Sequence, residues 1–202
     1  MNFSVDHHLL LRQNERVPFA QTPNGRRALK PRYLIIHYTA GRSFETSVQW
    51  FRNSDAKASA HLVVGRKGEV MQMQAFDKTC WHAGVSRWKN LSGMNNYAIG
   101  IEVDNAGILQ KNAAGKWHAW FGGSYKAEDV LLAKHRLGGD VQGWHVYTPE
   151  QVELVTGIAT ALHVRYQFED ILGHEDISWP RKTDPGPAFP LQNIKAKILG
   201  RR

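Results

Sequence analysis

The stretch RYLIIHYTAGRS, residues 32–43, decides how the chain is read. From Tyr33 to Tyr38 it is almost continuously apolar or aromatic, a pattern that suits a strand covered on both faces rather than one half in water. Gly41 then breaks the run. His37, near the end of the strand, is a polar ring in a buried position, so it needs a hydrogen bond, a water or a metal there.

Neighbouring segments supply the layers such a strand requires. In FETSVQWFRNS, residues 44–54, Phe44, Val48 and Phe51 recur at helical spacing, which predicts a short helix over about 45–54. In AHLVVGRKGEVMQMQAF, residues 60–76, two β-prone runs flank Gly65-Arg66-Lys67-Gly68, which predicts a hairpin with adjacent strands. NYAIGIEVDNAG, residues 96–107, reads as another strand, with Ile99, Ile101 and Val103 on one face and Ala98, Gly100 and Glu102 on the other. Two small residues beside one acid imply that Glu102 looks into a cleft.

Thr148-Pro149-Glu150-Gln151 combines an N-cap, a proline at the first helical position and a capping-box glutamine. The helix it starts is expected to reach about Tyr166, burying Val152, Val155, Ile158, Ala159 and Leu162. Residues 107–147 are less regular, with a short helix expected at 126–136 and stopped by Gly138. Their length marks a functional loop or an insertion. The order of elements gives an α/β (α+β) class: a single domain with a central mixed β-sheet flanked by helices. The expected organisation is a basic extension at 1–32, the domain proper at 33–195 with an insertion at about 107–147, and a basic tail at 196–202.

Composition bounds the function. The chain has 202 residues, 42% hydrophobic and 22% charged, as in an ordinary globular protein. Its one cysteine, Cys80, excludes an intramolecular disulfide and any cysteine-rich zinc module, and a buried thiol is expected. The net charge of +8 sits at the two ends, because residues 33–184 carry equal numbers of acidic and basic groups. Basic ends suit either an anionic polymer or plain solvation. The even charge of the middle and the lack of a nucleic-acid motif argue against nucleic acid as a partner. The first residues, MNFSVDHHLLLRQNERVPF, show neither a secretory signal nor a membrane span, so a protein cytoplasmic as synthesised, without integral membrane association, is expected. Leaving the cell would then take phage lysis or a dedicated secretion system. A monomer is expected.

The chemistry concentrates in GHEDISWPRKTDPGPAF, residues 173–189, where a histidine, a lysine and three acids share a segment stiffened by three prolines. Zinc catalysis uses three protein ligands and keeps a fourth position for water. His37, His174 and Asp184 match that requirement in residue type. If residues 182–184 are extended, Lys182 and Asp184 project to the same side. A lysine so placed steadies negative charge growing on a carbonyl oxygen.

Four segments in order, IIHYTAG, SAHLVVGRKGEVMQMQAFDKTCWHAG, NYAIGIEVDNAG and GHEDISWPRKTDPGPAF, resemble the zinc-dependent N-acetylmuramoyl-L-alanine amidases of the type 2 group. That group includes cytosolic muropeptide amidases, amidase-type phage lysozymes and peptidoglycan recognition proteins. The resemblance covers roughly residues 33–106 and 148–195. It implies that His37, His174 and Asp184 hold Zn²⁺, with Asp184 where some relatives use cysteine, that Glu102 is the catalytic acid-base and that Lys182 stands near the metal. It also implies that the partner is peptidoglycan or its muropeptide fragments and that the reaction cleaves the amide between N-acetylmuramic acid and L-alanine. The competing reading is a non-catalytic peptidoglycan-binding module. His61, Trp81 and His82 lie in family-like segments and are candidates for binding the substrate. The two histidines are read either as lying near the substrate or behind the ligands or as making structural hydrogen bonds, and Trp81 either as lining a sugar or peptide cleft or as a core aromatic. Trp117, Trp120, Phe121, Trp144 and Tyr147 are candidates for a wall against glycan or stem peptide.

Overall fold

A computed structural model of the chain describes residues 2–200. The basic N-terminal segment is folded: β1 (Phe3–Asp6), β2 (Leu9–Arg12) and β3 (Glu15–Arg16) form a three-stranded antiparallel sheet. Leu10 and Val17 enter the main core, and the Leu10 N–H donates to Gln72 Oε1 at 2.8 Å. A fourth strand, β4 (Gly25–Ala28), leads to β5 (Tyr33–Tyr38), the strand expected at those residues, in which Tyr33 to His37 are all buried.

Helix α1 (Phe44–Arg52) begins at Ser43, whose side chain caps the Thr46 N–H, and buries Val48 and Phe51. β6 (Leu62–Val64) and β7 (Val70–Gln72) form the expected antiparallel hairpin. β8 (Lys78–Cys80) pairs with β4, and Cys80 is buried, so its thiol is pushed well up from its ordinary pKa by burial. β9 (Arg87–Trp88) and β10 (Leu91–Ser92) form a small ribbon before β11 (Ala98–Val103), another strand placed where the alternation put it.

Residues 107–147 differ from the sequence reading. They build a second antiparallel sheet from β12 (Ile108–Lys111), β13 (Trp117–Ala119), β14 (Gly122–Tyr125), β15 (Val130–Lys134) and β16 (Val141–His145), in the order β14-β13-β12-β16-β15. The helix expected at 126–136 is absent: a single 3₁₀ turn over Ala127–Asp129 gives way to β15, which pairs along its whole length with β16. Val130, Leu131 and Leu132 give no apolar stripe at helical spacing, and Gly138 and Gly139, both with positive φ, turn the chain back as a hairpin rather than ending a helix.

Helix α2 (Pro149–Tyr166) has the expected start, with reciprocal 3.1 Å hydrogen bonds between Thr148 and Gln151. Its buried side includes Leu154 and Ala161 besides Val155, Ile158, Ala159 and Leu162, whereas Val152 is only partly buried. β17 (Asp170–Gly173), the five-residue α3 (His174–Ser178) and α4 (Leu191–Leu199) complete the chain. Of the tail expected at 196–202, residues 196–199 finish α4, and residues 201 and 202 lie outside the described residues.

The central sheet has the order β17-β5-β11-β6-β7, with the first four strands parallel and β7 antiparallel, so it is mixed as expected. On one face Leu34, Ile36, Ile99, Ile101 and Val103 pack against α2 and α4. On the other, Tyr33, Ile35, Ala98 and Leu172 pack against Ala83, Met94 and Ile177. Burial on both faces is why the strands are apolar runs rather than alternating ones. Among the described residues no helix is long and apolar enough to cross a membrane.

Candidate metal centre

Three parallel neighbours, β17, β5 and β11, end at the same edge of the sheet, where α/β proteins commonly place their sites. His37 is the penultimate residue of β5, Glu102 the penultimate residue of β11 and its direct register partner, and His174 follows the last residue of β17. Strand alternation turns Tyr33, Ile35 and His37 to one face, together with Ala98, Gly100 and Glu102 of β11. The chain then returns past Lys182 to Asp184.

Four side chains around this edge are buried: His37, His174, Asp184 and Glu102. His37 Nδ1, His174 Nδ1 and Asp184 Oδ2 form a triangle with each side 3.0 Å. Each ring's other nitrogen is committed. His174 Nε2 lies 3.1 Å from the carbonyl of Ala83, and a carbonyl only accepts, so the proton is on Nε2. His82 Nε2 lies 3.2 Å from the carbonyl of Ala98 and donates there in the same way, leaving His82 Nδ1 bare. His37 Nε2, 3.0 Å from that bare atom, must then donate to it. Burial first, and then the charge of His174, lowers the pKa of His37 from 6.5 to about 4, so its ring is neutral at neutral pH and its Nδ1 carries a lone pair.

The Nδ1 atoms of His37 and His174 and a carboxylate oxygen of Asp184 thus face one another, a set that a cation satisfies. Tetrahedral zinc with ligand bonds of roughly 2.0 Å would space its ligand atoms roughly 3.3 Å apart, close to the observed triangle. The donor set therefore fits zinc in both chemistry and size.

A cleft of about 220 Å³ opens beside the triangle and is lined by Glu102, Lys182, His174 and Asp184, with His82 and Trp81 on its wall. Glu102 Oε2 has no hydrogen-bond partner among the described residues. Burial, with help from the charge of Asp184 and against the pull of Lys182, raises the Glu102 pKa well above its ordinary value. A buried, unpartnered carboxyl costs roughly 1–3 kcal/mol, a cost that suits a group kept ready to take a proton. Lys182 and Asp184 both line this cleft.

The remaining candidates separate. Trp81 is exposed and on the cleft wall. His82 is buried and acts on His37, and Gly100 gives it room, since a Cβ there would come within 2.5 Å of the imidazole. His61 is fully buried; its Nδ1 accepts from the Gly100 N–H and its Nε2 donates to the Lys78 carbonyl. With both nitrogens held by backbone it takes the structural hydrogen-bonding role of the two readings, and its candidate role in binding the substrate is corrected. Trp144 and Tyr147 are likewise buried rather than on a wall: Trp144 Nε1 donates to the Ala133 carbonyl, and the Tyr147 hydroxyl donates to the Pro185 carbonyl. Trp117 is half-buried in the core of the second sheet.

Two features escaped the sequence reading. One is the pair of backbone carbonyls, Ala83 and Ala98, which carry no residue signal at all. The other is a clamp: Glu175, beside His174, accepts from His135 Nε2 at 2.8 Å and Arg136 Nε at 2.7 Å, and its Oε2 also accepts from the Gly186 N–H at 3.0 Å. His135 stacks on Trp179, with ring centroids 4.5 Å apart. The second sheet therefore grips both ends of the segment carrying His174 and Asp184.

Fold and site together define an α+β protein with a three-ligand, metal-type centre open to a cleft at the ends of parallel strands. The chain belongs to the N-acetylmuramoyl-L-alanine amidase family designated Amidase_2, whose family model matches residues 27–187. It is 30% identical over 176 residues to the N-acetylmuramoyl-L-alanine amidase AmiD of Escherichia coli (strain K12), covering 83% of this chain and 53% of that protein. It is 28% identical over 144 residues to the 1,6-anhydro-N-acetylmuramyl-L-alanine amidase AmpD of Citrobacter freundii, covering 70% of this chain and 58% of that protein. The chain thus spans just over half the length of these curated relatives. A solved complex of E. coli AmiD with the substrate anhydro-N-acetylmuramic acid-L-Ala-D-gamma-Glu-L-Lys superposes with a TM-score of 0.62 at 25% identity, over 96% of this chain and 64% of that one.

Proposed function

We propose that this chain is a zinc-dependent amidase that hydrolyses the bond between N-acetylmuramic acid and L-alanine in peptidoglycan or its muropeptide fragments. The observation that carries the reading is the convergence of the His37, His174 and Asp184 donor atoms beside a cleft that also holds Glu102 and Lys182. The family and the substrate named for AmiD support the choice of bond.

Bound at these three atoms, zinc supplies Lewis acidity toward the amide carbonyl and the attacking water. Glu102, with its raised proton affinity, takes a proton from the water and passes one to the leaving nitrogen of L-alanine. Lys182 steadies the negative charge that grows on the carbonyl oxygen. The C–N bond breaks, the lactyl group keeps the water oxygen as a carboxylate, and the peptide leaves with a free amino terminus.

Incubation of the zinc-loaded protein with an N-acetylmuramyl peptide is expected to release a new L-alanine amino terminus. Glu102→Gln should keep zinc and lose about 10²–10⁴ in rate, the usual range for general acid-base catalysis. Absence of the new terminus with zinc bound would instead favour a peptidoglycan-binding module.

A further inference from the structure

Two large, exposed indoles line a cleft of about 490 Å³ next to the metal centre: Trp50 is 55% exposed and Trp120 77% exposed. Thr39, Ala40, Trp50 and Phe51 line both this cleft and the smaller one holding Glu102, Lys182 and Asp184, so the two form one continuous depression. Trp50 comes from α1, where it is out of phase with the buried stripe of Val48 and Phe51. Trp120 comes from the turn between β13 and β14, in the second sheet.

Trp120 is exposed but not free. Its Nε1–H donates to the Ala40 carbonyl at 2.9 Å, which ties the second sheet to the loop after β5. Phe121 meets it edge-on, with centroids 5.6 Å apart and planes at 81°, and Arg42 lies over the Phe121 ring at 5.9 Å. An indole held in water with its polar edge already satisfied offers a rigid apolar face. The nearby hydroxyls are also committed, since Thr46 and Ser47 both donate to the Ser43 carbonyl. What the cleft offers a ligand is therefore chiefly aromatic surface, on a preformed site, directly beside the proposed scissile position.

A pyranose ring suits that surface, because its axial C–H groups form an apolar face while its hydroxyls remain at the solvent rim. A stem peptide suits it less, because its free carboxylates would look for several cations and only Arg42 lines the cleft. We infer that Trp50 and Trp120 form a sugar subsite that holds a second N-acetylated pyranose, glycosidically joined to the muramyl residue at the metal centre. The inference rests on the amidase reading above for the position of the muramyl residue. Its consequence is a preference for glycan-linked over single-sugar substrates.

Two measurements test it. Titration of the metal-free protein with N-acetylglucosamine tetramer, followed by tryptophan fluorescence, is expected to saturate. Affinity should fall about 10-fold in Trp120→Ala, the loss of one aromatic contact, and less in Trp120→Phe. With zinc, kcat/KM on an N-acetylglucosaminyl-N-acetylmuramyl peptide should exceed that on the N-acetylmuramyl peptide, and Trp120→Ala should lower only the former. Lack of tetramer binding, an equal loss on both substrates, or a loss that follows stem length would overturn the inference. Tetramer binding without cleavage of either substrate would retain the sugar subsite and reject the amidase reading.

Discussion

His37 has one nitrogen available to a cation because a single carbonyl, acting through the His82 ring, has settled where its proton goes. Ala98 fixes His82, and His82 fixes His37. Partners behind a ligand typically change metal affinity 10–100-fold. His82→Leu, which removes the acceptor, should therefore weaken zinc by about that range. His82→Gln keeps a side-chain acceptor and should recover part of it. Competition against a chelator of known affinity reads both, and equal zinc affinity in His82→Leu and the parent would show that His37 needs no such partner. At this scale the sequence was informative wherever chemistry resides in a side chain. His37, His174, Asp184, Glu102 and Lys182 all gather at one edge of the sheet. It was uninformative where chemistry resides in the backbone: no residue type marks the carbonyls of Ala83 and Ala98. His61 shows the converse, a histidine with a suggestive neighbourhood whose ring serves only backbone groups.

Among the elements, the second sheet does more than extend the surface. It supplies His135 and Arg136 to Glu175, and Arg136 reaches Asp176 as well. Glu175 in turn uses its N–H on the Asp184 carbonyl at 2.8 Å and its carboxylate on the Gly186 N–H. Gly186 has a positive φ, and a Cβ there would stand 2.8 Å from the Trp144 ring, so the return of the ligand segment and the second sheet are fitted to each other. Removing Arg136 leaves a buried carboxylate with fewer donors, which costs roughly 1–3 kcal/mol. Arg136→Ala should accordingly lower the denaturation midpoint and weaken zinc, while Arg136→Lys restores only part because it cannot make the forked contact with Glu175 and Asp176. Unchanged zinc affinity in Arg136→Ala would confine the clamp to folding. None of this was visible along the chain. A short strand such as Val130–Lys134 takes its conformation from pairing with Val141–His145, a contact made across a hairpin, and local composition there resembles a helix as much as a strand. The core strands and α2 were legible because their burial patterns and cap residues act locally.

For the molecule as a whole, charge and burial give a pH dependence whose sign can be worked out. The excess positive charge lies in terminal segments, and the N-terminal one proved to be folded, held by isolated core contacts at Leu10, Val17 and Leu29 that are too sparse to form a periodic signal. The interior holds neutral imidazoles. Burial lowers His61 from 6.5 to about 4, and burial first, with the charge of Arg66, does the same to His145. His37 and His82 are depressed as well, chiefly by burial. The unfolded chain binds protons at these rings below about pH 6.5, whereas in the folded chain His37, His61 and His145 resist until about pH 4. Their contribution to stability is therefore complete above about pH 6.5 and is lost as pH falls toward 4, by about 1.4 kcal/mol per pH unit for each proton taken up on unfolding. Glu102 and Asp104, both raised by burial, act in the opposite direction, but they are two groups against four. Urea denaturation of the metal-free protein should thus show a midpoint that is nearly level from pH 7 to about pH 6.5 and falls from there to pH 5. His145→Asn, which replaces a ring outside the ligand set, should flatten the fall by about one proton's worth. A midpoint independent of pH over that range would mean that these rings are not held neutral in the folded chain.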